Sequence, residues 1–266
     1  MSSLERRVAI DAARSAGRLL AGEQAGPRRI AFKSTSLDLV TEMDRRSEAI
    51  VLEALGRAFP DDAVLSEETG TRAGRSGRRW IVDPLDGTTN YAHGLPVFAV
   101  SIALEVGGRV VLGVAYDPTR DELFVAERGQ GAFLGDERIT VSDTPALDGS
   151  LLTTGFPYDI RVNPDNNLAE YAAFAVRARA VRRMGSAVLD LAWVAKGRFD
   201  GFWELTLGPW DAAAGGLLVE EAGGRFTDLA GGPVDVNRPA VVASNGRIHD
   251  AMLDVLREIR SAGAPG

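Results

Sequence analysis

The chain has no cysteine and only two histidines among its 266 residues. Without thiols there is no disulfide scaffold, no thiolate metal site and no cysteine nucleophile, and their absence suits a reducing cytoplasm. Long apolar runs are missing as well. Nothing approaches the roughly 20 residues needed to cross a bilayer, and the start MSSLERRVAIDAARS lacks a compact apolar stretch before a small-residue cleavage site. The sequence therefore reads as soluble, intracellular and cytoplasmic. Positive charge is also in deficit: 30 Lys and Arg stand against 37 Asp and Glu, a net charge of −7. That balance argues against wholesale nucleic-acid binding, although a local basic patch could still serve. What remains is ordinary for a globular chain, 45% hydrophobic and 25% charged, long enough for one large domain or two small ones.

Along the chain, Leu4, Val8, Ala12, Ala16, Leu19 and Leu20 fall at helical spacing, with Ser2 and Glu5 placed for a capping box. After Gly26 and Pro27, Thr41 and Asp44 can cap a second helix carrying Ile50, Leu52 and Leu55, which Pro60 stops. Residues 63–66 and 80–82 read as short buried strands, and the polar stretch 69–79 between them as a mobile surface loop. From 97 to 133 the pattern is that of an antiparallel meander with a Gly-Gly turn at 107–108. The second half alternates: strands at 151–154, 199–204 and 241–243, and helices at 168–178, 187–195, 211–221 and 248–259. No repeat or long linker divides it. The prediction is one mixed helix-and-sheet unit over 1–266, layered, with a soft division near 143–149.

The densest chemical signal is WIVDPLDGTTNYAHG, residues 80–94. An apolar strand runs into Asp83 and Asp86, held on a turn stiffened by Pro84, with the Leu85 carbonyl between them as a third oxygen donor. Hard divalent ions such as Mg²⁺ take oxygen donors. Gly87 and Thr88 then open a helix whose free N–H groups suit an anion such as phosphate. Taken alone, DPLDGT reads better as a turn with helix caps. Two further acidic clusters weigh against that reading: Glu67 in SEE (66–68) follows a strand, and Asp211 in PWDAAAGG (209–216) starts a small-residue helix. Four acids converging would repel one another unless cations were bound.

VDPLDGTTNYAH (82–93) and WDAAAGGLLVEEAGG (210–224) resemble the two signatures of the inositol monophosphatase family, Mg²⁺-dependent and typically lithium-sensitive phosphatases. The resemblance extends through KSTSLDLVTEMD (33–44), SEE (66–68) and RRMGSAVLDLAWVAKGRFDGFWE (182–204), and so covers almost the entire chain. It implies an α+β fold, a layered αβαβα sandwich, and two to three Mg²⁺ ions per site. One ion would be held by Glu67, Asp83 and the Leu85 carbonyl, a second by Asp83, Asp86 and Asp211, and a weaker third would lie near Glu67. The phosphate would lie against Gly87 and Thr88. A metal-activated water, oriented and deprotonated by Thr88 backed by Asp44, would expel the alcohol in line. Composition agrees, since a chain with no Cys and two His best supports carboxylate-and-metal chemistry.

The resemblance also suggests the substrate end and the partners. Glu204 and the backbone at Ala187 match positions that contact inositol in relatives, which favours a polyol or sugar monophosphate. Relatives with the same signatures hydrolyse fructose 1,6-bisphosphate, histidinol phosphate, adenosine 3′,5′-bisphosphate or NADP, and some bacterial members bind transcription partners. A homodimer is expected. Lys33 and Asp38 lie in the segment that closes over the metals in relatives. Ser186 reads as a helix cap, His93 and His249 as structural or surface residues, and the arginines at 72, 75, 78 and 79 as a solvated loop of which one could meet a second phosphate.

Overall fold

A computed structural model describes residues 3–24, 30–32 and 39–262. Ser2, Lys33 and Asp38 fall outside the described residues. The first helix, α1 (Ser3–Glu23), buries Ala9, Ala12, Ala13, Ala16 and Leu20, whereas Leu4 stays 39% exposed. Its inner face is thus smaller than the leucines suggest. Close approach is the reason: a Cβ on Gly17 would lie 2.5 Å from the Tyr116 ring. A short antiparallel pair, β1 (Ile30–Phe32) and β2 (Leu39–Thr41), precedes α2 (Glu42–Ala58).

Next come β3 (Ala63–Ser66), β4 (Gly70–Arg72), β5 (Arg78–Asp86) and the short helix α3 (Thr88–His93). The expected mobile loop at 69–79 is instead ordered structure. Its first part, β4, pairs antiparallel with β3, and the Arg75 and Ser76 N–H groups donate to the Asp61 carbonyl at 2.7 and 3.1 Å. Of the four arginines, Arg72 and Arg75 are exposed as expected, whereas Arg78 and Arg79 are half-buried in ion pairs. Arg75 pairs with Asp61, Arg78 with Glu5 and Asp62, and Arg79 with Glu105. The meander forms as predicted from β6 (Ala99–Val106), β7 (Arg109–Asp117), β8 (Glu122–Glu127) and β9 (Gly131–Leu134), with β10 (Glu137–Ile139) as an added edge strand. These make an eight-stranded sheet in the order β10-β9-β8-β7-β6-β5-β3-β4, antiparallel except for β3 beside β5.

The second half contains β11 (Leu151–Thr154), α4 (Leu168–Ala175), β12 (Ala180–Arg182), α5 (Ala187–Ala195) and β13 (Gly201–Glu204). It ends with α6 (Pro209–Glu221), β14 (Arg225–Thr227), β15 (Val241–Ser244) and α7 (His249–Ala262). Its five strands order as β12-β11-β13-β15-β14. The molecule stacks as α1 and α2, the eight-stranded sheet, α5 and α6, the five-stranded sheet, then α4 and α7. Alternation along β5 sends Trp80 and Val82 into the core under α1 and α2, and Ile81 into the core under α5 and α6. The sheet face beneath α6 is lined by small residues, Ala99, Ala103 and Ala115. There Gly113 lets the helix touch the strand, since a Cβ would lie 2.8 Å from the Ala214 carbonyl oxygen. That contact brings the start of α6 over the end of β5. Among the described residues no helix is long and apolar enough to cross a membrane.

Candidate active site

Asp83 and Asp86 are three residues apart, so a regular strand would point them to opposite faces. A bulge in β5 prevents this. Asp83 pairs with Ser101 and Asp86 with Ala99, so one extra residue is inserted and both carboxylates emerge on the face toward α6. The Asp83 carboxylate closes the turn by accepting the Leu85 N–H at 2.9 Å, and the Ser47 hydroxyl donates to the Pro84 carbonyl at 2.6 Å. Asp211 meets them from the first turn of α6, where its carboxylate accepts the Gly208 N–H at 2.6 Å in a capping arrangement. One oxygen each from Asp83, Asp86 and Asp211 lies within 4.8 Å of the other two.

Glu67 follows β3, beside Asp83, with its N–H donating to the Val82 carbonyl at 3.2 Å, and its side chain lines the neighbouring cavity. It is not part of the tight trio. Its charge nonetheless reaches Asp83 and Asp211 and raises both carboxyls. The turn carrying Glu67 is anchored by buried Glu48, whose carboxylate accepts the Ser66 hydroxyl and the Thr69 N–H. Thr88 begins α3, and its Oγ1 lies 2.9 Å from Asp44 Oδ1 and 3.0 Å from the Leu85 carbonyl oxygen. Gly87 before it has φ +92°, and a Cβ there would fall 2.8 Å from the Val97 carbonyl oxygen. Only glycine fits both demands.

The cavity, of roughly 510 Å³, runs from Glu67, Asp86, Thr88 and Asp211 to a second wall of Ala187, Asp190 and Glu204, with Arg183 also lining it. Asp86 joins the two halves of the molecule. Its Oδ2 accepts the Ser186 hydroxyl and the Val188 N–H, both at 2.7 Å. Ser186 does stand at the N-cap of α5, but its hydroxyl makes no cap there and serves Asp86 instead, which corrects the cap reading. Glu204 lies against Gly155, where a Cβ would stand 2.2 Å from its Oε2. His93 is exposed, and His249 is buried elsewhere between Ser244 and Thr227. None of the arginines at 72, 75, 78 and 79 lines this cavity.

Several functional neighbours were not singled out from sequence. Ser47 and Glu48 extend the buried stripe of Val51 and Leu55 at helical spacing, so polar residues on an inward face were their signal. Asp190 is the single acid in the otherwise apolar AVLDLAWVA helix, a comparable clue. Asn90, which donates to the Val97 and Met184 carbonyls at 2.8 Å, lies within the 82–93 motif, but the motif gave it no role because its partners are fixed only by the fold.

The charge state tests whether these residues suit a cation. Burial pushes the Asp83 carboxyl well above the ordinary range, and Glu67, Asp86 and Asp211 add to the rise. Burial lifts Asp86 to about 6 against the hydrogen bonds from Ser186, Val188, Ala187 and Gly87. Asp211 is raised by burial, then by Asp86 and Glu67, while the Gly208 N–H lowers it. Crowded, oxygen-only acids that repel one another fit a hard divalent ion, whose charge would relieve the repulsion.

The sequence matches the model of the Inositol monophosphatase family over residues 3–261. It is 44% identical over 258 residues to the inositol-1-monophosphatase of Mesorhizobium japonicum, spanning 96% of this chain and 97% of that protein. It is 43% identical over 253 residues to the Nus factor SuhB of Escherichia coli K12, spanning 94% and 95%. The crystal structure of extragenic suppressor protein suhB from Bartonella henselae superposes with a TM-score of 0.91 at 42% identity, over 96% of this chain and 99% of that one.

Proposed function

The chain belongs to the inositol monophosphatase family, and on that premise we propose that it is a Mg²⁺-dependent phosphomonoesterase releasing phosphate from inositol monophosphate or a similar polyol or sugar phosphate. The observation that carries this reading is the meeting of Asp83, Asp86 and Asp211 beside a cavity whose other wall bears Glu204. Glu67, Asp83, the Leu85 carbonyl, Asp86 and Asp211 would hold two to three ions. Bound there, Mg²⁺ supplies the positive charge that neutralises phosphate and acidifies water. Thr88 orients that water. Its Oγ1 accepts a proton from the water as its own hydroxyl proton passes to Asp44 Oδ1, 2.9 Å away. The water oxygen then attacks phosphorus opposite the ester oxygen, which leaves with the electron pair of the broken P–O bond and takes a proton from solvent to become the alcohol, while Asp44 returns its proton to solvent. Gly87 and Thr88 would face the phosphate, and Ala187 and Glu204 the alcohol.

The test is a phosphate-release panel over inositol 1-phosphate, fructose 1,6-bisphosphate, histidinol phosphate, adenosine 3′,5′-bisphosphate and NADP, with Mg²⁺, with chelator and with added Li⁺. The expected result is Mg²⁺-dependent release, highest kcat/KM on inositol 1-phosphate and inhibition by Li⁺. Preference for another ester would reassign the substrate, and no release from any ester would overturn the enzyme reading. The 43% identity to a protein named as a Nus factor supports a second role, binding a transcription partner. That role predicts retained partner binding in an Asp83→Asn variant that has lost turnover. The reading also includes a cytoplasmic homodimer of a single-domain chain; light scattering after size exclusion should give twice the chain mass of 28.3 kDa.

A further inference from the structure

A second cavity, of roughly 360 Å³, lies between one face of α6, the start of β7, β14 and the segment 233–236. Its walls are largely apolar, formed by Val110, Leu217, Phe226, Val234 and Val236. Each wall is fixed by contacts of its own. The Phe226 ring rests on α6 at Gly216, where a Cβ would lie 2.4 Å from it. The segment 233–236 is pinned at both ends: the Asp228 N–H donates to the Gly232 carbonyl at 2.9 Å, and the Leu207 N–H to the Pro239 carbonyl at 3.0 Å. Arg79 Nη1 adds a bond to Asn237 Oδ1 at 3.0 Å. The cavity is therefore preformed, and its size and polarity are those of small-ligand sites.

Three charged side chains also line it, Arg109, Arg128 and Glu220. Arg128 is committed, since its Nε donates to the Val110 carbonyl at 2.7 Å and its Nη2 to Glu220 Oε2 at 2.9 Å. Arg109 is exposed and, among the described residues, has no hydrogen-bond or ion-pair partner. One uncommitted guanidinium beside an apolar chamber complements one carboxylate, which its planar fork can hold through two N–H groups. A phosphate dianion would meet Glu220 with only that one cation to offset it.

We propose that this cavity is a second ligand site, separate from the acid cluster, and that it takes a small aromatic monocarboxylate. The ring packs among Leu217, Phe226 and Val234, where the Phe226 ring offers an aromatic partner, and the carboxylate pairs with Arg109. The proposal stands independently of the phosphomonoesterase reading, because neither Arg109 nor Val234 lines the cavity that holds Asp86, Asp211 and Glu204.

The experiment titrates the full chain with three probes that differ only in charge, 4-phenylbutyrate, 4-phenylbutan-1-ol and 4-phenylbutylamine, followed by ligand-observed NMR. The carboxylate should bind saturably with a Kd of about 1 mM or tighter, as for a ligand of about a dozen non-hydrogen atoms. The alcohol should bind about tenfold more weakly, as for a lost hydrogen bond to a charged group, and the amine more weakly still. Hydrogen exchange on adding the carboxylate should slow at Phe226 and in the segment 233–236. Arg109→Gln should weaken the carboxylate about tenfold and leave the alcohol unchanged, because the variant and the probe delete the same contact. Val234→Trp fills the chamber and should abolish binding of both. No saturable binding of the carboxylate up to about 10 mM, well beyond that expectation, overturns the proposal. So does an amine that binds as tightly as the carboxylate, a readout that stands even if both variants fail to fold. Slowed exchange elsewhere, or displacement of the probe by inorganic phosphate with Mg²⁺, would put it at the acid cluster and overturn the assignment. Binding that weakens as protein concentration rises would mean that a second copy of the chain covers the cavity, and overturns it as well.

Discussion

Asp83 is the most constrained acid of the site. It is 1% exposed, and Glu67, Asp86 and Asp211 all raise its carboxyl beyond what burial does. Asn in its place keeps the shape and removes the repulsion. Asp83→Asn should therefore melt higher than wild type in chelator at pH 7, while Mg²⁺-dependent turnover falls more than about a hundredfold, since losing even groups that only orient metal ligands costs about 10- to 100-fold. Melting curves and phosphate release check both halves, and a variant that is destabilised yet fully active would contradict the assignment. Asp83, Asp86 and Asp211 were legible in the sequence because DPLD and WD place acids where a strand ends and a helix begins. Ser186 was not, because its partner Asp86 is 100 residues away and its position looks like an ordinary cap.

The elements do their work through small residues and bulges. Gly113 in β7 admits α6, and α6 carries Asp211 to the bulged end of β5. Gly113→Val would force a side chain onto the Ala214 backbone, which should cost about 1–3 kcal/mol of stability and weaken the Mg²⁺ dependence of activity by displacing Asp211. Denaturant unfolding and a Mg²⁺ titration of phosphate release read the two effects. His249, at the start of α7, ties β15 to β14 through Ser244 and Thr227, both at 2.9 Å. Burial, aided by Arg225, pushes its imidazole down to about 4. A depressed value in the fold means that the stabilisation is present above the ordinary imidazole value of about 6.5 and is lost as pH falls from there through about 4. The melting temperature of His249→Gln should fall less than that of wild type over this window; parallel curves would contradict the prediction. The comparison between proteins is needed because Asp86, raised to about 6, acts in the opposite direction over the same range.

The long helices and the meander were legible because their apolar periodicity survives without tertiary context. The three-residue strands β4, β10, β12 and β14 were not, since each exists only through pairing with a neighbour. The ordered 69–79 segment escaped for the same reason: its polar residues are held by Asp61, Asp62 and Glu48 rather than by a pattern of their own.

In the whole molecule, the site lies between the eight-stranded sheet, which brings Glu67, Asp83 and Asp86, and the second half, which brings Ser186, Asp190, Glu204 and Asp211. A cation shared by Asp83, Asp86 and Asp211 would join two halves that are far apart in sequence, and would stabilise the fold by mass action, about 2.7 kcal/mol at a hundred times its Kd. The five-layer order was legible through the family motifs, whereas the cavity wall at Asp190 depends on how α5 packs between the sheets. Calorimetric titration of chelator-treated protein with Mg²⁺ at pH 7, wild type beside Asp83→Asn, addresses the central claim most directly. The account predicts saturable binding by wild type and its loss in the folded variant; superimposable isotherms, or no binding by wild type, would contradict it.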